Sequence, residues 1–453
     1  MKDFFLNSEY LFWIAWIIIP LVVEIIPAIG NFVFLLFKYF KNKHTKDVKL
    51  EYYPEITIII PIYNSETTLH KCIKSINEST YNNELITIML VDNGSSDNSF
   101  KVFQDCQIEF SDLSMYWLTS NQGKSKALNK ALFNSNGKYI INIDSDGRLE
   151  KNALENVIKK FENEQDLHCV TGVIFIEKDE IEETKNFLLR QIRRLEYIEY
   201  CQAFLAGRNY NSELNKLYTI SGAFSAFRKS TILQTFLYNT DTICEDTHIT
   251  FQIRQQKKKI ALCENAIFYV SPIDNLSKLY TQRQRWQIGE LEVFHMFFKD
   301  KLYFYKLLKE ASFKTILFDH TFAFPRLIWY FALFAMGLMN YSLKNVIIAM
   351  FLIYLLYLLS SFLFFININM FLKNFKEDKK YYRSKFLYLL LYPFYNLFTF
   401  FIRFSGIINS ISRESSWKTY TFEEELGIVK DIILKDLHLK KKEVKKIDES
   451  SNK

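Results

Sequence analysis

Apolar residues along this chain form three blocks that differ in their pattern. Long and nearly continuous apolar runs occupy Leu11–Phe37 near the start and Leu317–Ile407 near the end. Between them, short apolar runs alternate with polar segments. Because about 20 apolar residues in a helix suffice to cross a bilayer, the two flanks predict membrane helices. The middle block has the mixed pattern of a folded α/β domain.

From Pro54 onwards, β-branched runs alternate with helical segments. Apolar runs of this length suit strands that are buried on both faces, and their alternation with helices is typical of βαβ units. Strands are predicted at Ile56–Tyr63, Ile86–Val91, Met115–Leu118 and Tyr139–Ile143, with helices at Thr67–Thr80 and Ser125–Phe133. We therefore expect an α/β fold with a mostly parallel, doubly wound sheet and helices on both faces. Since parallel strands end at one edge, Asn64, Asp92 and Asp144 should meet along one rim.

The segment YIINIDSDG at Tyr139–Gly147 ends a predicted strand with two carboxylates, Asp144 and Asp146. In an extended chain both side chains point the same way, so together they could hold a divalent cation such as Mg²⁺ or Mn²⁺. A plain turn is the alternative, because Asp, Ser and Gly all favour turns. The position after a long buried strand, with further charged landmarks on both sides, favours the cation site.

Two more polar segments follow predicted strands. Asp92 begins DNGSSD, where a carboxylate at a strand end can accept hydrogen bonds from a base or ribose; an Asx turn explains it equally well. Lys124 lies in NQGKSK and could provide a point charge for a diphosphate, although a solvated lysine is as consistent. A triphosphate-binding loop requires a Gly five residues before Gly123. That position holds Leu118, which excludes such a loop.

Two clusters in the second half of the middle block also suggest a site. Ser221 and Gly222, in SGAF, could let an extended substrate pass close to the backbone, or they could form a packed turn. Asp246, in DTICEDTHIT, is predicted at the start of a helix at Thr247–Lys257. It is either a helix cap or a general base that is close enough to take a proton from a substrate hydroxyl.

The segment QRQRW contains Gln282, Arg285 and Trp286. Arg285 can bind a diphosphate through two hydrogen bonds, and Trp286 offers a flat apolar face on which a sugar ring can stack. The surrounding residues Leu276–Phe298 are also amphipathic, as expected for a helix that lies on a membrane surface. Both interpretations are compatible.

The order of these landmarks from Pro54 to Trp286, with apolar flanks, resembles the membrane-embedded glycosyltransferases of family 2. That group includes cellulose, chitin, hyaluronan and poly-N-acetylglucosamine synthases. The resemblance implies a GT-A-type fold and an inverting sugar transfer from a UDP-sugar to a glycan or lipid-linked acceptor. The resemblance implies that Asp92 contacts uracil, and that Asp144 and Asp146 bind the nucleotide and Mg²⁺ or Mn²⁺. It further implies that Asp246 is the base. Diphosphate and acceptor sugar would be bound by Gln282, Arg285 and Trp286. Asn64 and Lys124 are assigned to the nucleotide sugar, and Ser221 and Gly222 to the acceptor.

One position departs from the family pattern. Many relatives carry a second Asp directly after the first, and this chain has Asn93 there. The departure concerns the contact with the nucleotide, and therefore the identity of the nucleotide carrier.

Composition and charge set the expected organisation. The chain has 453 residues, of which 49% are hydrophobic, with a net charge of +7. Its Lys and Arg clusters lie beside apolar segments or in the tail, which suits anionic lipids and cytoplasmic loops, and no nucleic-acid partner is expected. The predicted parts are an N-terminal membrane segment and basic linker (1–50), a cytoplasmic transferase domain (51–275), interfacial helices (276–312), a transmembrane region (313–410) and a basic cytoplasmic tail (411–453). Six cysteines without paired spacing suggest reduced thiols.

The number of membrane spans stays open at this point. Candidates are Leu11–Phe37, Phe318–Ser342, Asn345–Ile368 and Phe386–Ile408. Leu11–Phe37 suits a span better than a signal peptide, because no basic leader precedes it, and it could also cross twice. Phe386–Ile408 is aromatic and contains Pro393 and Arg403, so the interface is an alternative for it. We expect a multi-pass protein of the cell membrane.

Three functions are compatible with this pattern. The first is synthesis of a polysaccharide with secretion through the membrane helices. The second is a single sugar transfer to a polyprenyl phosphate or another lipid, and the third is a binding module without catalysis. The intact carboxylates and the Gln282–Trp286 cluster favour the first. Polysaccharide synthesis is also compatible with accessory subunits. Which sugar the donor carries does not follow from the sequence.

Overall fold

An eight-stranded sheet forms the centre of the protein in a computed structural model, which describes residues 18, 21–42, 50, 52–299, 334–336, 338, 343–412, 421–427 and 430. The strands are β1 (Ile56–Ile62), β2 (Ile86–Asp92), β3 (Ser114–Thr119), β4 (Tyr139–Ile143), β5 (Gly147–Leu149), β6 (Leu167–Ile176), β7 (Phe224–Arg228) and β8 (Lys259–Val270). Their order across the sheet is β3-β2-β1-β4-β7-β6-β8-β5.

The first four strands are parallel neighbours, as the sequence predicts. All residues of β1 and β4 are buried, which explains their continuous apolar runs. The register places Ile62 opposite Asp92 and Asp92 opposite Thr119, so the carboxyl ends of β1, β2 and β3 are level. The expected rim of polar residues is therefore present at this edge of the sheet.

The second half of the sheet is mixed, so the expectation of a mostly parallel sheet is correct only for β1 to β4. β7 runs antiparallel to both β4 and β6, and β5 runs antiparallel to β8, while β6 and β8 are parallel. Few strand signals are visible in this part of the sequence. One reason is that Glu264 and Asn265, both half-buried, interrupt the apolar pattern of β8 and divide it into two short runs.

Helices cover both faces of the sheet, as predicted. They are α1 (Ile26–Asn42), α2 (Leu69–Asn77), α3 (Ser99–Glu109), α4 (Lys124–Asn134), α5 (Ala153–Asn163), α6 (Lys178–Glu182), α7 (Phe187–Tyr200), α8 (Arg208–Glu213), α9 (Lys229–Ile232), α10 (Glu245–Gln255), α11 (Leu276–Phe298), α12 (Leu343–Phe371), α13 (Lys376–Ser384) and α14 (Tyr392–Ser412). Ile58 and Ile60 of β1 contribute to one core with α2, α3 and α5, whereas Ile59 contributes to the other with α4 and α10. This alternation follows from the two-residue period of a strand.

The helix predictions are correct in place and differ only at the ends. The helix expected at Thr67–Thr80 is α2, the one at Ser125–Phe133 is α4, and the one at Thr247–Lys257 is α10. The amphipathic segment Leu276–Phe298 forms α11 with the same bounds. A π-helical turn, Cys201–Gly207, joins α7 to α8 and lies beside the site described below.

Among the described residues, one helix is long and apolar enough to cross a membrane. It spans Leu343–Asn374, that is α12 and a short 3₁₀ turn, and contains the predicted span Asn345–Ile368; only 22% of its most apolar window is buried. The segment Phe386–Ile408 is instead a 3₁₀ turn, Phe386–Leu390, followed by α14. The segment is therefore not one continuous helix, and its place in the membrane or at the interface stays a prediction.

The other span candidates can be followed only in part. Of Leu11–Phe37, residues 18 and 21–37 are described and form a π-helical turn, Leu21–Ile25, and most of α1. Phe318–Ser342 lies outside the described residues except for 334–336 and 338, as do residues 300–312 and most of the tail. The multi-pass arrangement and the orientation of the chain remain predictions.

Lys38, in the predicted basic linker, contacts side chains of the protein. Its side chain is 12% exposed, and its Nζ lies 2.8 Å from Glu213 Oε1 and 2.6 Å from Glu264 Oε2. It also donates to Asn209 Oδ1 at 2.5 Å. These contacts attach α1 to α8 and β8. The six cysteines are all buried and unpaired, in agreement with the expectation of reduced thiols.

Candidate active site

The rim formed by β1 and β2 contains Asn64 and Asp92. Asn64 lies two residues after the end of β1 with a φ of 50°, and its Oδ1 accepts a hydrogen bond from Ser96 N at 2.9 Å. Asp92 Oδ1 accepts one from Ser95 N at 2.9 Å, which closes an Asx turn. The turn does not remove Asp92 from the surface, because its side chain stays half-buried at the strand end. The turn and a role in ligand binding are thus compatible.

Asn93, the departure from the family pattern, connects three segments of the rim. Its Nδ2 donates to Ile62 O at 2.8 Å, and its Oδ1 accepts a hydrogen bond from Gly123 N at 3.4 Å. An ionised Asp could not donate to Ile62 O. Gly123 has a φ of 130°, a conformation that side chains disfavour, and it directly precedes α4. Asn93 therefore holds the start of α4 against the ends of β1 and β2.

Four charged residues meet where β4 ends and where α4 and α10 begin: Lys124, Asp144, Glu245 and Asp246, here called the cleft cluster. Lys124 Nζ lies 2.6 Å from Asp144 Oδ1 and 3.3 Å from Glu245 Oε1. Burial alone would lower the pKa of Lys124, but Asp144, Glu245 and Asp246 raise it above its usual value. Burial raises the pKa of Glu245, and the charge of Lys124 acts in the opposite direction. Lys124 is therefore a permanent cation that bridges two carboxylates.

Asp146 lies beside the cleft cluster, and its side chain is exposed. The surrounding protein and the charge of Asp144 raise the pKa of Asp146 to about 6, while Lys124 and Arg285 act in the opposite direction. Arg285, on α11, is thus close enough to influence the carboxylates electrostatically. Between the two carboxylates, Ser145 Oγ is hydrogen-bonded to Ser65 Oγ at 2.7 Å, which fixes the turn.

The donor atoms suit a cation that is shared with substrate. Within the described part of the chain, no group of three or more His, Cys, Asp or Glu side chains is placed to hold a metal ion. Asp144 and Asp146 still offer hard oxygen atoms at one strand end. Mg²⁺ commonly takes one or two carboxylates and completes its shell with water and substrate phosphates. The residues therefore fit a cation that binds together with a diphosphate, and they do not form a closed protein site.

Asp246 is held in place by two backbone amides. Its Oδ1 accepts a hydrogen bond from Thr247 N at 2.7 Å, in the first turn of α10, and its Oδ2 accepts one from Gly222 N at 3.0 Å. A Cβ on Gly222 would lie only 3.1 Å from Asp246 Oδ2 and 3.4 Å from both Glu245 Oε1 and Lys124 Nζ. Ser221 N donates to Thr171 Oγ1 at 2.9 Å. The segment Ser221–Gly222 therefore positions the predicted base, a role that the sequence did not reveal.

α11 presents Gln282, Arg285 and Trp286. Trp286 is half-buried beside the rings of Tyr200 and Phe204, with centroid distances of 6.3 and 6.4 Å. Gln282 Oε1 accepts a hydrogen bond from Arg283 Nη1 at 2.6 Å. Gln282 is therefore engaged by its neighbour, while the half-buried Trp286 keeps part of its ring accessible.

A second group, here called the buried arginine cluster, holds α11 to α7 and α14: Glu196, Glu199, Arg283 and Tyr395. Arg283 binds Glu199 through two hydrogen bonds of 3.2 and 2.8 Å, and Glu196 Oε1 lies 3.7 Å from its Nη2. Tyr395 O–H donates to Glu199 Oε2 at 2.8 Å. The sequence did not reveal this cluster. The motif QRQRW and the pair Glu196–Tyr197 were visible, but their contact depends on how the helices pack.

The structure brings most of the predicted site residues together and arranges the others around them. Lys124 contacts Asp144, and Gly222 contacts Asp246 and lies near Lys124, while Asp146 and Arg285 lie beside them. Asn64 and Asp92 occupy the adjacent rim, and Trp286 lies on the α11 side. Their roles toward a substrate remain predictions.

Comparisons with known proteins agree with this architecture. Residues 57–236 match the family model described as glycosyl transferase family 2. The poly-beta-1,6-N-acetyl-D-glucosamine synthase of Staphylococcus aureus is 26% identical over 277 residues, 60% of this chain and 64% of the relative. The synthase of the same name from Staphylococcus epidermidis is 25% identical over 276 residues, again 60% and 64%. The chain thus spans less than two thirds of the length of these relatives.

One solved structure has the same overall fold. A mannosyltransferase from Pyrobaculum calidifontis, solved with GDP-mannose and Mn²⁺, is similar with a TM-score of 0.58 and 15% identity, over 87% of this chain and 98% of that chain. The protein therefore has a GT-A-like α/β fold with a mixed sheet.

Proposed function

We propose that this chain, of which residues 57–236 match the model of glycosyl transferase family 2, is a glycosyltransferase that transfers a sugar from a UDP-sugar to a growing polysaccharide at the cytoplasmic face of the membrane. The observation that supports this most is the meeting of Asp144, Lys124 and Asp246 at one edge of the sheet, where Gly222 lies against Asp246 and Lys124. The names of the relatives make N-acetylglucosamine the first donor sugar to test.

Asp246 is the proposed general base. It accepts hydrogen bonds from Gly222 N and Thr247 N, so its orientation is fixed before substrate binds. Its place at the N-terminus of α10 stabilises the negative charge. Asp246 removes the proton of the acceptor hydroxyl while that oxygen attacks the anomeric carbon. A single displacement of this kind inverts the anomeric centre, so an α-linked donor gives a β-linked product.

Two cations of the site are proposed to stabilise the departing diphosphate. Arg285 can bind two phosphate oxygens at once, and Lys124 provides a second cation whose raised pKa keeps it protonated. Asp144 and Asp146 would hold Mg²⁺ or Mn²⁺, which when bound stabilises the negative charge of the diphosphate. Asp92 and Asn64, on the adjacent rim, are the proposed contacts to the nucleoside.

The acceptor is proposed to approach from the α11 side. Trp286 offers its apolar face to a sugar ring, and Gln282 lies one turn before it on the same helix. Because α12 is long and apolar enough to cross a bilayer and is mostly exposed, attachment to a membrane is part of the proposal. Secretion of the product through the membrane helices is the further step that the polysaccharide synthases suggest.

The test is transfer by the full chain in lipid nanodiscs. Radiolabelled UDP-sugars, with UDP-N-acetylglucosamine first and GDP-mannose for comparison, are supplied with Mg²⁺ or Mn²⁺, and the products are sized. We expect long polymer that disappears when EDTA is added. A labelled monosaccharide that extracts with lipid would favour single transfer to a lipid acceptor instead. No transfer from any donor would contradict the proposal.

A further inference from the structure

Arg208 is a cation beside the candidate site that no sequence motif marks. It begins α8, directly after the π-helical turn Cys201–Gly207 that continues α7. Single π-helical turns inside helices are frequent at functional sites, because they displace side chains from the regular helical positions. The Arg208 guanidinium lies 4.5 Å from the centroid of the Phe204 ring, and its Nη1 donates to Thr171 Oγ1 at 3.3 Å. The turn thus directs both Phe204 and Arg208 toward the site.

The hydrogen-bonding capacity of Arg208 is largely unused by the described residues. A guanidinium has five N–H donors, and one contact to a hydroxyl is seen here. No carboxylate of the described part of the chain lies within the 4.0 Å that defines an ion pair with it. Burial lowers the pKa of Arg208 to about 10, against the opposing charges of Asp246 and Tyr218. Arg208 is therefore charged at neutral pH, and a partly desolvated cation with one weak hydrogen bond is costly unless a ligand completes its contacts.

Phe204 connects Arg208 to Trp286. The rings of Phe204 and Trp286 meet edge to face at 85°, and Tyr200 packs against both. Trp286 and Phe204 thus form an angled aromatic surface, and the Arg208 guanidinium lies over the Phe204 ring. We call Trp286, Phe204 and Arg208 together the aromatic shelf.

The other side of Arg208 leads to the predicted base. Thr171 Oγ1 accepts a hydrogen bond from Ser221 N as well as from Arg208, and the next amide, Gly222 N, holds Asp246. Arg208 therefore lies between the platform proposed for the acceptor sugar and the group proposed to deprotonate it. The acceptor hydroxyl has to occupy this interval.

We propose that Arg208 and Phe204 form a subsite for the acceptor, in which Phe204 forms an apolar wall beside the ring of Trp286 and Arg208 donates hydrogen bonds to oxygen substituents of the bound pyranose. The ligand class is a β-linked hexose chain with hydroxyl or amide oxygen atoms, which accept such bonds. The inference rests on the proposed function, because Trp286 and Asp246 define the acceptor side. It adds a specificity-determining arginine and the π-helical turn that presents it.

Two structural roles for Arg208 predict different results. If Arg208 served only to hold Thr171, a hydrogen bond of 3.3 Å would be its whole contribution, and Ser221 N already occupies the same oxygen atom. If it served only as a countercharge to Asp246, its loss would reduce kcat and shift the pH profile without weakening sugar binding. A binding measurement therefore separates these roles from the subsite.

The test compares sugar binding with nucleotide binding in the full chain. Arg208→Gln, Arg208→Lys and Phe204→Leu are purified in nanodiscs and titrated by calorimetry with three pentasaccharides, β-1,6-linked N-acetylglucosamine, chitopentaose and cellopentaose, and separately with UDP. Arg254→Gln is the matched control. Arg254 is also half-buried and donates to Leu217 O at 2.6 Å and to Asn215 Oδ1 at 3.2 Å, outside the shelf.

We expect Arg208→Gln to raise the Kd of the best pentasaccharide about tenfold or more, the loss of one or two hydrogen bonds. Phe204→Leu should have a similar effect and Arg208→Lys a smaller one, with the Kd of UDP unchanged throughout. Unchanged pentasaccharide binding in Arg208→Gln, or no binding of any pentasaccharide by a wild type that binds UDP, would overturn the subsite. Arg208-dependent sugar binding without transfer from any donor would instead contradict the proposed function and leave the subsite standing.

Discussion

The cleft cluster and the buried arginine cluster both pair a cation with carboxylates, yet they differ in solvent access. In the cleft, the side chains of Lys124 and Asp144 remain 21% and 29% exposed. In the buried cluster, those of Arg283 and Glu196 are 2% and 1% exposed. Arg283 makes a two-bond contact with Glu199, which Tyr395 also supports. The cleft leaves charge available to a ligand, whereas the buried cluster satisfies its charge internally.

The difference shows how one helix serves both purposes. Gln282, Arg285 and Trp286 are spaced by three and four residues and so lie on one side of α11, while Arg283 points into the interior. Anchoring of Arg283 between α7 and α14 fixes the rotation of α11, and with it the direction in which Arg285 and Trp286 project. The buried cluster therefore positions the cleft residues without touching a substrate.

The largest effect is expected in the cleft, from Asp246→Asn. The amide keeps the shape of the side chain but cannot take a proton, so transfer should fall about 10²–10⁴-fold while the fold is retained. UDP release with UDP-N-acetylglucosamine as donor measures the rate, and Asp241→Asn, at an exposed loop position four residues before α10, is the control. A rate within tenfold of wild type would remove Asp246 from the role of base.

The second prediction reverses the comparison, because stability should depend on the buried cluster. Arg283→Met leaves the buried Glu196 and the half-buried Glu199 without their cation, and we expect the unfolding free energy to fall by about 3–5 kcal/mol. Lys124→Met in the more exposed cleft should cost about 1–2 kcal/mol. Chemical denaturation in detergent checks both values. Equal losses would show that burial does not distinguish the two clusters.

The third prediction concerns the contact between Gly222 and the cleft. In Gly222→Ala the new Cβ would lie 3.1 Å from Asp246 Oδ2, so the carboxylate must move by a few tenths of an ångström or more. We expect transfer to fall about 10–100-fold, with a stability change of about 1 kcal/mol or less. Gly30→Ala is the control, since its Cβ would meet nothing within 4 Å. Equal activity of both variants would contradict a positioning role for Gly222.

The cleft could be predicted from the sequence and the buried cluster could not, and the reason is the range of the contacts. Asp92 and Asp144 lie at the ends of strands whose apolar runs are obvious, and the carboxyl ends of parallel strands meet at one edge. Arg283 and Glu199 are 84 residues apart in sequence, and their pairing depends on how α7 and α11 pack. The place of Arg208 beside the site was missed for a similar reason. It depends on a π-helical turn that no residue pattern predicts.

The same reasoning applies to the fold. Strands β1 to β4 were found because each is a short apolar run, and β1 to β3 are each followed by a helical segment. β6 and β7 were missed, and so was β8, in which the polar pair Glu264 and Asn265 divides the apolar pattern. Glu264 has its own explanation, since its carboxylate receives Lys38 from α1. The residue that forms the ion pair with Lys38 is therefore also the residue that interrupts the apolar pattern of β8.

The smallest effect is a pH dependence that belongs to the buried cluster. Burial and the charge of Glu199 raise the pKa of Glu196 to about 7, although Arg283 and Arg193 oppose this. Between about pH 4.5 and 7 the folded protein therefore holds a proton that the unfolded chain has lost, so stability falls as the pH rises through this window.

Glu196→Gln cannot lose that proton, so its unfolding free energy should fall less than that of the wild type between pH 5 and 7.5, by roughly 1–3 kcal/mol. Denaturation of both proteins at the two pH values measures the difference, with Glu84→Gln at an exposed position as the control. If wild type and Glu196→Gln show the same slope, Glu196 is ionised in the folded state throughout. The buried cluster would then carry two carboxylate charges on Arg283, and Glu196 would share in holding α11 through its charge.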